Sequence, residues 1–236
     1  MDISTDNIFI LKTVINKYLN RGNGKVFVCL VDFKKTFDSV WRQALLFKLL
    51  DKGIGQTFYK IIKHMYSNIK YSYKSLNFYS NPFMANSGVK QGDNISPTLF
   101  NIFIDDFAKY LDKNLTNPIS LSNIEINHLL YADDLVLMSQ SPVGLQHCLN
   151  ALQNFCKDWK LDINPNKTKV IVFCKKEIPD NTFGFYYSHN IIEITDKYKY
   201  LGIVFKNTGL LKYASENLAD KARKAFYSLK SKISQS

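Results

Sequence analysis

Tyr131-Ala132-Asp133-Asp134 sets two adjacent carboxylates in the middle of an apolar run, His-Leu-Leu-Tyr-Ala-Asp-Asp-Leu-Val-Leu-Met, from His128 to Met138. Few folds accommodate that pattern. The apolar flanks read as two buried strands, and the pair between them reads as the tight turn of a hairpin, where Asp tolerates a positive φ. A buried carboxylate needs a partner, yet no Lys or Arg lies nearby in sequence. Two readings stand side by side. One is an acidic turn between buried strands; the other is a hairpin tip that holds two carboxylates out to a hard divalent cation such as Mg²⁺. Asp32 weighs on the choice. It ends the apolar run Val26 to Val31, a second strand pattern finishing on a carboxylate. Two strands that each deliver Asp to one place suit a two-metal site for phosphoryl transfer.

At 236 residues the chain can bury one substantial core or two modest ones, and 46% hydrophobic with 22% charged content is that of an ordinary globular protein. The net charge of +11 suits a polyanionic partner, although solubility alone could explain it. Beside an acidic metal site, nucleic acid is the natural partner class. Cys29, Cys148, Cys156 and Cys174 have no Cys-x-x-Cys spacing and fall in strand or helix-face patterns. They read as core residues of an intracellular, reducing compartment, cytoplasm or nucleus, and neither a disulfide framework nor a zinc site is expected. No signal peptide opens the chain and no uncharged apolar run is long enough to cross a bilayer. His64, His128, His147 and His189 are isolated and read as structural or solvated.

Helical periodicity runs over Asn7 to Leu19, with Asp6 a candidate N-cap, then over Trp41 to Leu50 and Thr57 to Tyr66. Between Tyr66 and Phe83 the aromatics Tyr71, Tyr73, Phe78 and Tyr79 alternate with polar and basic residues. That stretch is either a hairpin with an aromatic core face or a basic-aromatic surface suited to nucleic acid. Ser96-Pro97 and Ser141-Pro142 each predict a helix opened by an N-cap serine with proline following. The second of these helices carries one clean face, Leu145, Cys148, Leu149, Leu152, Phe155, Cys156 and Trp159. It ends at Asn164-Pro165 before a strand Val170 to Phe173. Phe183 to Phe205 predicts one more hairpin, turning near His189-Asn190. The tail from Lys212 predicts a basic helix. The expected fold class is α+β, an antiparallel sheet with helices packed on one face.

Five stretches, in order, carry a family resemblance: Val31 to Val40 (Val-Asp-Phe-Lys-Lys-Thr-Phe-Asp-Ser-Val), Gly88 to Pro97 (Gly-Val-Lys-Gln-Gly-Asp-Asn-Ile-Ser-Pro), Tyr131 to Asp134, Asn166 to Lys169, and Tyr200-Leu201-Gly202. Together they resemble the reverse transcriptase domain of non-LTR (LINE-type) retrotransposons over nearly the whole chain. The resemblance implies a polymerase palm over residues 26–205, a remnant of fingers over 1–25 and the start of a thumb helix over 206–236. It implies RNA-directed DNA polymerase activity, with Asp32, Asp133 and Asp134 as metal ligands and catalytic groups. The cofactor would be two Mg²⁺ ions, or Mn²⁺ in their place. Lys167 would approach the pyrophosphate, with Lys169 the neighbouring candidate.

Phe37, Gln91, Gly92, Lys34 and Lys35 would form the nucleotide site. Phe37 would exclude a 2′-hydroxyl, where RNA polymerases of this kind place a polar residue. Gly88 and Gly92 would let the backbone approach the templating pair. Tyr200, Leu201 and Gly202 would grip the primer. The implied partners are an RNA template, a DNA primer and dNTPs, with no membrane. The family's upstream fingers, complete thumb, endonuclease and zinc-knuckle regions are not matched, so a longer parent protein is expected to supply them. The alternative is a palm fragment that does no catalysis alone and at most binds nucleic acid.

Overall fold

The computed structural model describes residues 3–20, 24–67, 69–76, 78–84, 87–121, 123–175 and 183–209. The basic helix expected from Lys212, and with it nearly all of 206–236, lies outside them.

The chain opens with helix α1 (Ile3–Leu19), which begins before the expected Asp6 cap and takes Asp6 into its first turn. Strand β1 (Val26–Asp32) follows; six of its seven residues are fully buried and only Asp32 is partly open. A one-turn helix α2 (Thr36–Ser39) leads to α3 (Arg42–Asp51) and α4 (Gln56–Tyr66). Four two-residue strands come next, β2 (Lys70–Tyr71), β3 (Lys74–Ser75), β4 (Phe78–Tyr79) and β5 (Phe83–Met84). Helix α5 (Ser96–Ile104), a 3₁₀ turn Asp105–Tyr110 and α6 (Lys113–Thr116) precede a small hairpin of β6 (Ile119–Leu121) and β7 (Ile124–Ile126). Then come β8 (His128–Tyr131), β9 (Asp134–Ser139), α7 (Pro142–Trp159) and β10 (Lys169–Phe173). The described chain closes with β11 (Phe185–Tyr187), β12 (Asn190–Ile194), β13 (Lys197–Tyr200) and β14 (Ile203–Lys206).

Six strands form the main sheet in the order β11-β12-β10-β1-β9-β8. All neighbours are antiparallel except β10 and β12, which run parallel. The sheet is therefore mixed, where a purely antiparallel one was expected. The tail region holds two hairpins in place of one: β11–β12 turns at Ser188-His189, and β13–β14 turns at Leu201-Gly202.

The sheet is also covered on both faces, which corrects the expectation of helices on one. Phe27, Cys29 and Val31 of β1 face a core shared with α3, α4, α5 and α7. Val26, Val28 and Leu30 face a second core shared with Leu11, Val14, Ile15 and Leu19 of α1 and with Tyr200 and Phe205 of β13–β14. The physical reason is visible in β1 itself. An uninterrupted apolar strand has two apolar faces, and each must be covered. The predicted face of α7 is buried from Leu145 to Cys156.

The two serines that precede proline behave differently. Ser141 caps α7 by accepting from the Gly144 N–H at 3.0 Å. Ser96 is already helical, and its hydroxyl donates to the Lys90 carbonyl at 2.6 Å. Lys48 of α3 is buried; it donates to the Phe103 carbonyl and pairs with Asp106, both at 2.5 Å, and lies 3.5 Å from the Trp159 ring centroid. One cation thus ties α3, α5, the 3₁₀ turn and α7 together, its buried charge paired as it has to be.

Candidate active site

Strand register brings the two acidic motifs together. Asp32 at the end of β1 lies directly opposite Asp134 at the start of β9, and Asp134 in turn lies opposite Tyr131 of β8. Side chains of directly paired residues share a face. Both carboxylates therefore emerge on the face that carries Val28, Leu30, Val136 and Met138. The turn between β8 and β9 is Ala132-Asp133, one residue earlier than the Asp-Asp turn expected. Its positive φ of 50° falls on Ala132. Asp133 sits in the turn and Asp134 in the strand, so the adjacent acids hold different positions.

Partial burial, then the charge of Asp133, then that of Asp32, push the Asp134 carboxyl above its ordinary value. Burial leads, and the two neighbouring carboxylates add to it; both disfavour the charged form. Lys167 Nζ is 4.0 Å from Asp32 Oδ2, but its side chain is 69% exposed, so the pair is weak. The β13–β14 hairpin lies alongside: burial and then the charges of Asp32 and Asp134 raise the Tyr198 phenol.

Among the described residues, no three His, Cys, Asp or Glu side chains converge into a ready-made metal cage. The donor set still fits a hard cation. Mg²⁺ is commonly held by one or two carboxylates and takes its other ligands from water and substrate phosphates. A facing Asp pair with a third Asp beside it is such a set.

The nucleotide-site candidates split. Gly88 N–H donates to the Val40 carbonyl at 2.8 Å and Val89 N–H to the Phe37 carbonyl at 2.7 Å, which welds the Gly88–Gly92 loop onto α2. Gly88 is required there. Its φ is +84°, and a Cβ would stand 2.8 Å from the Asp38 carbonyl oxygen. Its close approach is thus to protein backbone, whereas Gly92, at φ +82°, has open space around it. Gln91 donates to Asp38 Oδ1 at 3.0 Å, and the Phe37 ring packs edge-on to Phe100 with centroids 6.0 Å apart. Lys34 turns aside to Asp162 at 2.7 Å, and Lys35 occupies the left-handed cap of α2 with its side chain exposed. Tyr200 is 2% exposed and belongs to the core, leaving Leu201-Gly202 as the turn of its hairpin.

A scan of known protein families matches residues 3–205 to the family described as reverse transcriptase (RNA-dependent DNA polymerase). The chain belongs to the reverse transcriptase family. This domain is 28% identical over 223 residues to a retrovirus-related Pol polyprotein from the type-1 retrotransposable element R2 of Popillia japonica, covering 90% of this chain and 36% of that protein. It is 28% identical over 184 residues to the RNA-directed DNA polymerase from mobile element jockey of Drosophila funebris, covering 75% of this chain and 19% of that one. Its relatives are thus reverse transcriptases of non-LTR retrotransposons, and it spans about a third or less of their length. The fold is also that of apo telomerase from Candida tropicalis truncated from its C-terminal domain, with a TM-score of 0.59 at 17% identity over 87% of this chain and 39% of that one.

Three residues of this reverse transcriptase domain were missed in the sequence and bear on the site. Thr168 is fully buried, and its Oγ1 accepts the Asp32 backbone N–H at 3.1 Å. Asn164 N–H donates to the Asp32 carbonyl at 2.7 Å, while the Asn164 carbonyl accepts from Lys167 and Thr168. The Asn164–Thr168 turn is therefore bolted to both sides of the Asp32 backbone, which is why Lys167 reaches that carboxylate. Arg42 is 8% exposed and donates to the carbonyls of Gly88 at 2.7 Å, Ser87 at 2.8 Å and Tyr66 at 3.4 Å. It braces the Gly88–Gly92 loop from behind. The one cue was an arginine in the first turn of α3, where a helix dipole disfavours a cation.

Proposed function

We propose that this domain is the polymerase palm of an RNA-directed DNA polymerase, which extends a primer 3′-hydroxyl with deoxynucleotides on an RNA template. The observation that carries the reading is the direct pairing of Asp32 with Asp134, with Asp133 in the adjoining turn, inside a reverse transcriptase family match. Divalent ions bound to these carboxylates would neutralise triphosphate charge and lower the pKa of the attacking hydroxyl. Asp32, Asp133 and Asp134 supply the negative charge that recruits them. Thr168 and Asn164 fix the Asp32 backbone, so its carboxylate is held in place before substrate arrives. Lys167 brings a positive charge to 4.0 Å from the Asp32 carboxylate, and the family resemblance gives this lysine the approach to pyrophosphate. Phe37, wedged against Phe100, limits the space beside the sugar, and Gln91, held by Asp38, faces the nucleotide.

Primer extension on an RNA template with Mg²⁺, supplied with dNTPs or with NTPs, tests this. Extension with dNTPs that fails with NTPs, and falls about a thousandfold or more in Asp133→Ala, is expected. Nucleic-acid binding without extension in both proteins would instead support a non-catalytic palm.

A further inference from the structure

Strands β2 to β5 form one long hairpin that no core absorbs. Lys70 pairs with Met84 and Tyr71 with Phe83; further out, Lys74 pairs with Tyr79 and Ser75 with Phe78. Between the two ladders, Ser80 N–H donates to the Tyr73 carbonyl at 2.9 Å, and the Tyr73 N–H donates to Ser80 Oγ at 2.8 Å. The register slips by one residue between the ladders, so Asn81-Pro82 holds a bulge on the returning strand. Pairing sorts the side chains onto two faces. Tyr71, Tyr73, Phe78 and Phe83 share one; Lys70 and Lys74 share the other.

The aromatic face is open to solvent: Tyr73 is 74% exposed, Phe78 71% and Phe83 51%. The expectation of an aromatic core face fails here, and a soluble domain does not keep such a patch without use. Charge says what fits it. From Ser67 to Gly92 there is no Asp or Glu, while Lys70, Lys74 and Lys90 are present. Exposed rings on one face of a hairpin, with lysines on its other face and at its base, suit single-stranded nucleic acid, bases stacking on rings and phosphates meeting ammonium groups. Tyr71 and Phe83 already stack, with rings 28° apart and centroids at 6.4 Å. Position says which strand. At the base of the hairpin an open cleft of about 710 Å³ is lined by Lys70, Tyr71, Lys90, Gln91 and Asp38. It runs from the aromatic face to the loop assigned to the nucleotide.

We infer that the 69–84 hairpin is a stacking platform for the single-stranded template RNA on its way to Gln91, an inference that rests on the reverse transcriptase reading above. The one acid lining the cleft, Asp38, accepts from Gln91 at 3.0 Å, and two lysines, Lys70 and Lys90, outweigh its charge there.

The full chain is mixed with a labelled primer–template carrying a 5′ single-stranded RNA overhang of about ten nucleotides, a length within the span of such platforms. The same duplex with blunt ends is the control. Tyr73→Ala/Phe78→Ala removes two exposed rings whose loss leaves the hairpin backbone bonds intact. The wild type is expected to prefer the overhang, and the variant to lose about tenfold in affinity for it with no change on the blunt duplex. Lys70→Gln/Lys74→Gln is expected to flatten the salt dependence of overhang binding. Unchanged overhang affinity in the double aromatic variant, while the wild type still extends primers, overturns the platform alone and points to a protein partner for this face. A wild type that neither extends nor binds primer–template overturns the reading beneath it.

Discussion

The two faces of the central sheet are built from the same strands and do different work. On one face Phe27, Cys29, Val31, Leu135 and Leu137 meet the helices without interruption. Burial there is complete enough to push the Cys148 and Cys156 thiols up to about 12, which makes them inert packing groups. On the other face the same strands begin apolar, Val26, Val28, Leu30, Val136 and Met138, under α1 and β13–β14. That face then ends on Asp32 and Asp134, beside Tyr198 of β13. On the proposed reading, stability and chemistry are separated by the alternation of a strand. One residue step moves a side chain from a place where only carbon is tolerated to a place where charge can be met by a cation.

Substitutions on the two faces should therefore fail in different assays. The largest effect on folding is expected from Phe155→Ala on the helical face. Phe155 is fully buried, with ring contacts to Phe107, Tyr110 and Trp159. A loss of about 3–5 kcal/mol in a denaturant melt is expected, with extension by the molecules that remain folded unchanged. Thr168→Val sits between the categories. It leaves the Asp32 N–H without its acceptor, worth about 1–3 kcal/mol, and the loss should fall on kcat more than on stability. Thr168→Ser should restore it. If Val and Ser behave alike, the hydroxyl does not position Asp32.

On the proposed reading, Phe37→Val opens the space beside the sugar. A gain of about tenfold in NTP use relative to dNTP is expected, in line with about 1–3 kcal/mol per removed or added group in an apolar pocket. The smallest effect belongs to Asp134→Asn without metal. The Asp134 carboxyl is raised in the folded chain, so the folded state holds that proton more tightly than the unfolded state does. Its stabilising contribution is present below the unfolded value and is lost as the pH rises through the raised folded one. With chelator present, the variant should melt slightly above wild type at pH 7, by no more than about 1 kcal/mol for so open a group, with the gap closing as the pH falls towards about 4.

Much of this was legible in the sequence because it rests on periodicity. The face of α7, the buried β1 and the Asp-ended strands follow from spacing alone. What was not legible depends on pairing across long separations. The sequence brings Asp32 to the Asp133-Asp134 pair, but nothing local gives the direct pairing of Asp32 with Asp134, the hydrogen bond from Asp32 to Thr168, or the bracing of Ser87 and Gly88 by Arg42. The motif resemblance takes Tyr200-Leu201-Gly202 as one unit, whereas strand alternation buries the Tyr200 ring and leaves Leu201-Gly202 at the turn. The turn at Ala132-Asp133 was misplaced by one residue because Asp is the better left-handed former, yet the register of β1 against β9 fixes Asp134 in the strand. The second sheet cover was missed because α1 precedes β1 in sequence and its apolar stripe does not say which face of the sheet it will meet.

The most direct test of the division between faces is Asp32→Asn, with extension on an RNA template and thermal melting measured on the same preparation. Asp32 stands on the chemical face, at the edge of the apolar layer. Extension is expected to fall about a thousandfold or more, with a melting temperature equal to or above that of wild type. A melting temperature that drops along with activity would show Asp32 to be part of the structural core and contradict the account.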